Sequence, residues 1–222
     1  MPSLITTAAA TARLRASYPG MQFSAVLAIG VDRSAFPSAT GQFADAVGAG
    51  LRPLKANVQR GLAAFDAFFS QHGRRSPLSQ QISQAAEHGL RAPSTPVLAL
   101  LALEAATGVL MGVQDLDAVA ERVTLDVLAA PETFSGMRGR TIACPAGEIV
   151  VRDREGIIAS LFQGPDQRTA AGEDSQNLLF YIFDTCPTLG HDHDAAVQAT
   201  MSFLAGTVQS VRLISSAKEL IT

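Results

Sequence analysis

Eight apolar residues between positions 41 and 69 recur at intervals of three and four: Phe43, Val47, Leu51, Leu54, Val58, Leu62, Phe65 and Phe69. Only a helical backbone brings that spacing onto one face, so the stretch predicts a core-facing helical stripe. Pro53 lies inside it and supplies no amide hydrogen, so a kink or division is expected there. Gly73 follows at a C-cap position, and Gly-Arg-Arg-Ser-Pro turns the chain. Residues 77–88 read as a short helix closed by Gly89. Ser94-Thr95-Pro96 reads as the start of another, running to Thr107 and stopped at Gly108.

The second half has a different character. Runs at 123–128, 141–144, 148–153, 157–162, 178–183 and 208–214 are short and rich in Val, Ile and Phe, and read as strands. Residues 25–31 form an earlier one. Asp153-Arg154-Glu155-Gly156 is a hairpin turn. Residues 192–206 read as a helix before the final strand. The polar stretch 163–175 is a loop. Helices and strands interleave without repeated βαβ units, which predicts an α+β fold with a mixed β-sheet packed with helices. The expected organisation is an N-terminal extension over residues 1–13 and a single domain over 14–222.

Composition bounds the function classes. The chain has 222 residues, 47% of them hydrophobic, and two cysteines, Cys144 and Cys186, in no metal-ligand spacing. Reduced thiols in a cytoplasmic protein are expected. The longest apolar stretch, 96–113, contains Glu104 and breaks at Gly108, so it reads as a buried helix and no membrane span is predicted. Net charge is −3, against a general nucleic-acid binder, but the charges are unevenly placed. Residues 1–91 carry nine Lys/Arg and four Asp/Glu, whereas 92–222 carry eight and sixteen. Arg52, Lys55, Arg60, Arg74, Arg75 and Arg91 are candidates for a basic face. No GxSxG and no phosphate-binding glycine motif is present. His191, Asp192, His193 and Asp194 are metal-capable residue types, but alternate positions at a helix start suit capping better than convergence. No metal or cofactor is expected. His72 and His88 sit near helix ends and are expected to be exposed.

An ordered series of segments carries a family resemblance. Gly108 to Val119, with Asp115-Leu116-Asp117 inside it, Ala-Ala-Pro-Glu-Thr-Phe at 129–134, the hairpin 147–160 and the return 168–182 resemble, in order and spacing, the B3/4 editing domain of the phenylalanyl-tRNA synthetase beta subunit. The resemblance spans about residues 14–214 in a free-standing form. It implies a trans-editing deacylase that hydrolyses the ester of misacylated tRNA, so that aminoacylated tRNA and its amino-acid moiety are the implied partners. By the same resemblance Glu132 is the catalytic carboxylate that orients water. Gly108, Gln114, Gln163 and Arg168 would contact the amino acid, while Arg52, Lys55, Arg74 and Arg75 would meet the nucleic acid. Asp115 and Asp117 fall on a signature turn expected to be structural. The family's x-Pro-Leu-His-Ala-Phe run stands here as Val109–Gln114, without the histidine. The Trp-Arg loop after the hairpin stands as Phe162–Gln167, without the tryptophan. These departures support an alternative: a non-catalytic module that holds an amino-acid-like ligand or a tRNA end.

Overall fold

The computed structural model describes residues 8–185 and 190–215. The chain is α+β. Its elements are β1 (Ala8–Ala10), α1 (Ala12–Ser17), β2 (Gln22–Val31), α2 (Ala35–Ala49), α3 (Ala56–Gln71), α4 (Pro77–His88), α5 (Thr95–Thr107), β3 (Met111–Asp115), β4 (Val123–Val127), β5 (Glu132–Gly136), β6 (Arg140–Cys144), β7 (Ile149–Arg152), β8 (Ile157–Ser160), β9 (Gly164–Pro165), β10 (Leu178–Asp184), α6 (Gly190–Leu204) and β11 (Val208–Ser215). Cys186 lies outside the described residues.

Three sheets organise the chain. The first runs β11-β2-β10-β3, antiparallel throughout. The second runs β1-β4-β7-β8-β9, with β1 parallel to β4 and the other pairs antiparallel. The third is the β5–β6 hairpin. β10 is buried at every position, so it reads as an unbroken apolar run rather than an alternating one. Helices α2, α3, α4 and α6 pack against α5, an apolar helix at the centre of the helical layer. One continuous core joins both large sheets to the helices, and a satellite cluster of Leu128, Phe134, Cys144, Val150 and Ile157 lies by the hairpin.

Several local readings agree with the structure to the residue, and others are corrected by it. α4 spans Pro77–His88, and α5 ends at Gly108, which takes the left-handed conformation at φ 74°. The 41–69 stripe is two helices, because the chain turns at Leu51–Lys55 around Pro53. Ser94 makes no side-chain cap. Glu173, from the polar loop, accepts from the Thr95 amide at 2.7 Å and its hydroxyl at 2.8 Å, putting a carboxylate at the N-terminus of α5. Residues 8–10, inside the expected extension, are a sheet strand. Thr11 then caps α1 by accepting from Leu14 N–H. No helix among the described residues is long and apolar enough to cross a membrane.

Candidate functional site

α4, α5, β3, β8 and β10 enclose a cleft of about 430 Å³. Its walls are mainly apolar: Val97, Leu100 and Leu101 from α5, Leu110 to Val113 on and before β3, Leu161 and Phe162 after β8, and Phe183 from β10. Arg75, Gln163 and Ser160 add polar groups. Gly112 shapes the floor. A Cβ there would fall 2.0 Å from Tyr181 Cζ and 2.2 Å from its hydroxyl oxygen, so only glycine lets the tyrosine ring lie flat across β3. A second cleft of about 410 Å³ lies between α4 and α5, and Gln81, Leu101 and Glu104 line both.

A set of buried polar atoms sits where the clefts meet. Glu104 is 2% exposed; its Oε1 accepts from the Met111 amide at 3.0 Å, and its Oε2 has no partner among the described residues. Gln81 Oε1 is likewise buried without a donor. Burial pushes the Glu104 carboxyl up to about 8, the Met111 bond opposing it, so the group is largely protonated at neutral pH. Native Glu104 therefore binds more protons than the unfolded chain between about pH 4.5 and 8, and stability falls as pH rises through that window. Glu104→Gln is expected to remove this slope. The variant should match the wild type near pH 4.5 and exceed it above pH 8 by an amount on the order of a few kcal/mol, measured by urea denaturation across pH.

Gln114, placed at the ligand by the resemblance, is wholly buried behind the cleft. Its amide donates to the Ile158 carbonyl at 3.0 Å and to the Tyr181 hydroxyl at 3.3 Å, and its Oε1 has no partner among the described residues. Burial, more than the Coulombic push of Asp166 and Glu104, holds the Tyr181 phenol far above its ordinary range. Gln163 does line the cleft. Gly108 does not: its α-carbon faces α3, where a Cβ would lie 2.7 Å from Val58 Cα. Gly112 is the glycine that opens the cleft. No periodicity in the sequence singled out 112.

At the outer wall, the Ser160 hydroxyl donates to the buried Glu148 carboxylate and accepts from the Phe162 and Gln163 amides. Cys144 is beside them, and burial, reinforced by the Glu148 charge, pushes its thiol up to about 11, which makes it a poor nucleophile. Glu132 begins β5 directly opposite Cys144. Its carboxylate is 39% exposed and engages Arg152 through both oxygens, at 3.2 and 3.4 Å. Neither Glu132 nor Arg152 is among the residues lining the cleft. His72 is half-buried, in contrast to the exposed position expected. Its Nδ1 meets the Phe68 carbonyl at 2.9 Å and its Nε2 the Tyr18 hydroxyl at 3.0 Å. A carbonyl only accepts, so Nδ1 carries a proton and donates to Phe68. Phe68, Phe69 and Phe162 pack around this pair and join it to the cleft wall.

The remaining candidates are separated. Arg168 clasps the fully buried Asp153 carboxylate at 2.9 and 3.0 Å and donates to the Ala118 carbonyl, which ties two loops together. Asp166 beside it is buried, and burial raises its carboxyl despite the Thr169 hydrogen bonds. Arg52 and Lys55 are exposed at the start of α3 and Arg74 and Arg75 just past its end. A helix of 16 residues separates them by about 24 Å. Of the four, only Arg75 lines the cleft, while Arg74 acts electrostatically on Cys144. Arg60 is paired with Asp192 at 2.8 Å. His193 is 3% exposed, and among the described residues no group of three or more His, Cys, Asp or Glu is placed to hold a metal.

No family model matches the chain, and no curated protein does. Among solved structures it is similar to an N-terminal fragment of the phenylalanyl-tRNA synthetase beta subunit from Pyrococcus horikoshii, with TM-score 0.51 and 11% identity. The likeness covers 96% of this chain and 51% of that one, so the chain spans about half the length of its neighbour. At this identity the likeness is one of fold.

Proposed function

We propose that this protein receives the aminoacylated end of a tRNA, places the amino acid in the cleft between α4, α5, β3 and β10, and hydrolyses the ester in trans. The observation that carries the reading is the cleft itself. Its volume and mainly apolar wall with a few polar groups suit a small amphipathic ligand. The B3/4 resemblance of the sequence and the fold likeness to the synthetase fragment support the choice of ligand. In this reading Arg74 and Arg75 meet phosphates at the cleft, so binding weakens with salt. Arg52 and Lys55 would touch a more distant part of the same nucleic acid. Gln163 orients the acyl group, and the attacking water falls by the resemblance to Glu132, which lies outside the cleft lining and would have to leave Arg152 to reach the ester. The reading calls on no metal or cofactor and places the activity in the cytoplasm.

A second reading, binding without turnover, is favoured by one observation: both Glu132 oxygens are engaged by Arg152. Deacylation of a panel of correctly and incorrectly charged tRNAs separates the two. Turnover well above the spontaneous rate, reduced about 100-fold or more by Glu132→Ala, is the result expected of the hydrolase. Retention of the ester in a stable complex would replace it with the binding module. Turnover insensitive to Glu132→Ala would move the catalytic assignment to the Ser160–Glu148 pair at the cleft wall.

A further inference from the structure

We infer that Glu104 and Gln81 form an ammonium-binding point where the two clefts meet, so that the ligand this protein takes is a primary amine with an apolar body. Three observations converge. Glu104 Oε2 and Gln81 Oε1 are both buried and have no hydrogen-bond partner among the described residues, and both residues line both clefts. Leaving such atoms unpaired is costly, and one ligand group with several hydrogens satisfies them together. The surrounding wall from Val97, Leu100, Leu101, Leu110 and Met111 is apolar and suits the rest of such a molecule. An ammonium is the group that fits best: it offers three donors and no acceptor, and its charge stabilises Glu104 as a carboxylate in a site where burial otherwise keeps it protonated.

The inference rests on the proposed use of the cleft as a ligand site, though not on ester hydrolysis. Within that function it assigns the free α-ammonium of the aminoacyl group to Glu104. The cleft-lining ionisable groups around Glu104 are Arg75 ahead of α4, Glu87 and His88 at its end, Arg91 beyond it and Tyr181 on β10. On α6, which packs on α5, burial disfavours protonation of His193. Among these cleft-lining groups Glu104 alone is a buried carboxyl with an oxygen that has no partner among the described residues.

The probes are phenethylamine and its neutral counterpart 2-phenylethanol, titrated calorimetrically in buffers of differing ionisation enthalpy. A bound ammonium displaces the Glu104 proton, so wild type is expected to release close to one proton per amine at pH 7 and almost none at pH 9, where Glu104 is mostly ionised and the amine still mostly protonated. Glu104→Gln, which keeps the shape, should weaken the amine about tenfold or more and abolish the release, and change the alcohol by less than about twofold. Proton release is read on the wild type and does not depend on the variant's folding. Amine binding without proton release, equal affinity for alcohol and amine, or no amine binding at millimolar concentration would each overturn the inference. A failed deacylation assay with intact proton release would remove the hydrolase and leave the ammonium site standing.

Discussion

Gly61→Ala is expected to destabilise the protein by about 3 kcal/mol, at the upper end of the range for overpacking a well-filled interior. A Cβ on Gly61 would lie 1.9 Å from the Gly108 carbonyl oxygen and 2.7 Å from its carbon. Both are backbone atoms, so no side chain can swing aside. α3 must move away from the end of α5, and the intrinsic gain of about 1 kcal/mol for alanine over glycine in a helix is too small to offset that. For a chain of this length the melting temperature should fall by about 6–12 °C. Gly41→Ala on α2 is the control. Nothing lies within 4 Å of a Cβ there, so the same substitution should stabilise by a few tenths to about 1 kcal/mol. Thermal melts of both variants check the pair of outcomes, and equal melting temperatures would show that the α3–α5 contact yields freely. Since Leu100, Leu101 and Glu104 on α5 line the cleft, Gly61→Ala should also weaken ligand binding while touching no ligand.

Asp153→Ala is expected to cost about 3 kcal/mol as well, by a different route. The Asp153 side chain is wholly buried and accepts from the amides of Ala120, Glu155 and Gly156 at 2.8 to 3.0 Å, besides the Arg168 guanidinium. Removing it strands three amide donors and takes from Arg168 its nearest carboxylate, leaving the Ala118 carbonyl, Glu155 and Asp166 as its partners. Arg168→Ala should cost only about 1 kcal/mol, because the three amides still hold the carboxylate and the arginine is 34% exposed. Urea denaturation of the two variants, with ligand binding measured alongside, tests whether Arg168 acts as a strut. Full stability with lost binding in Arg168→Ala would return it to the ligand.

The parts of this protein that are readable in its sequence are those decided by neighbours in the chain. Pro77 and Gly89 bracket α4, Gly108 ends α5 by accepting a left-handed backbone, and the apolar run 178–183 falls inside a doubly buried strand. Of the β5–β6 hairpin, the run 141–144 was readable and falls in β6, but β5 was not. Its exposed positions alternate with Phe134 and Gly136, and it is held by distant segments: pairing with β6, a bridge from Gly136 to Asp166 and the Gln167 amide on the Ser135 carbonyl. The candidate site was readable as a region but not as a constellation. Gln163 and Arg75 reach the cleft, while Arg168 and Gln114 turn inward to partners 15 and 44 positions away in the chain.

By itself, the sequence determined an α+β chain with helices at 77–88 and 95–107, a divided helical stripe before them and short strands after, because hydrophobic spacing, proline geometry and glycine freedom act within a few residues. Only the tertiary structure decided which glycine opens the cleft, which charges are spent on one another, and that Glu104, Gln81 and Tyr181 line one cleft. These depend on packing α4 and α5 against β3 and β10, a set of contacts between distant segments that no local pattern encodes.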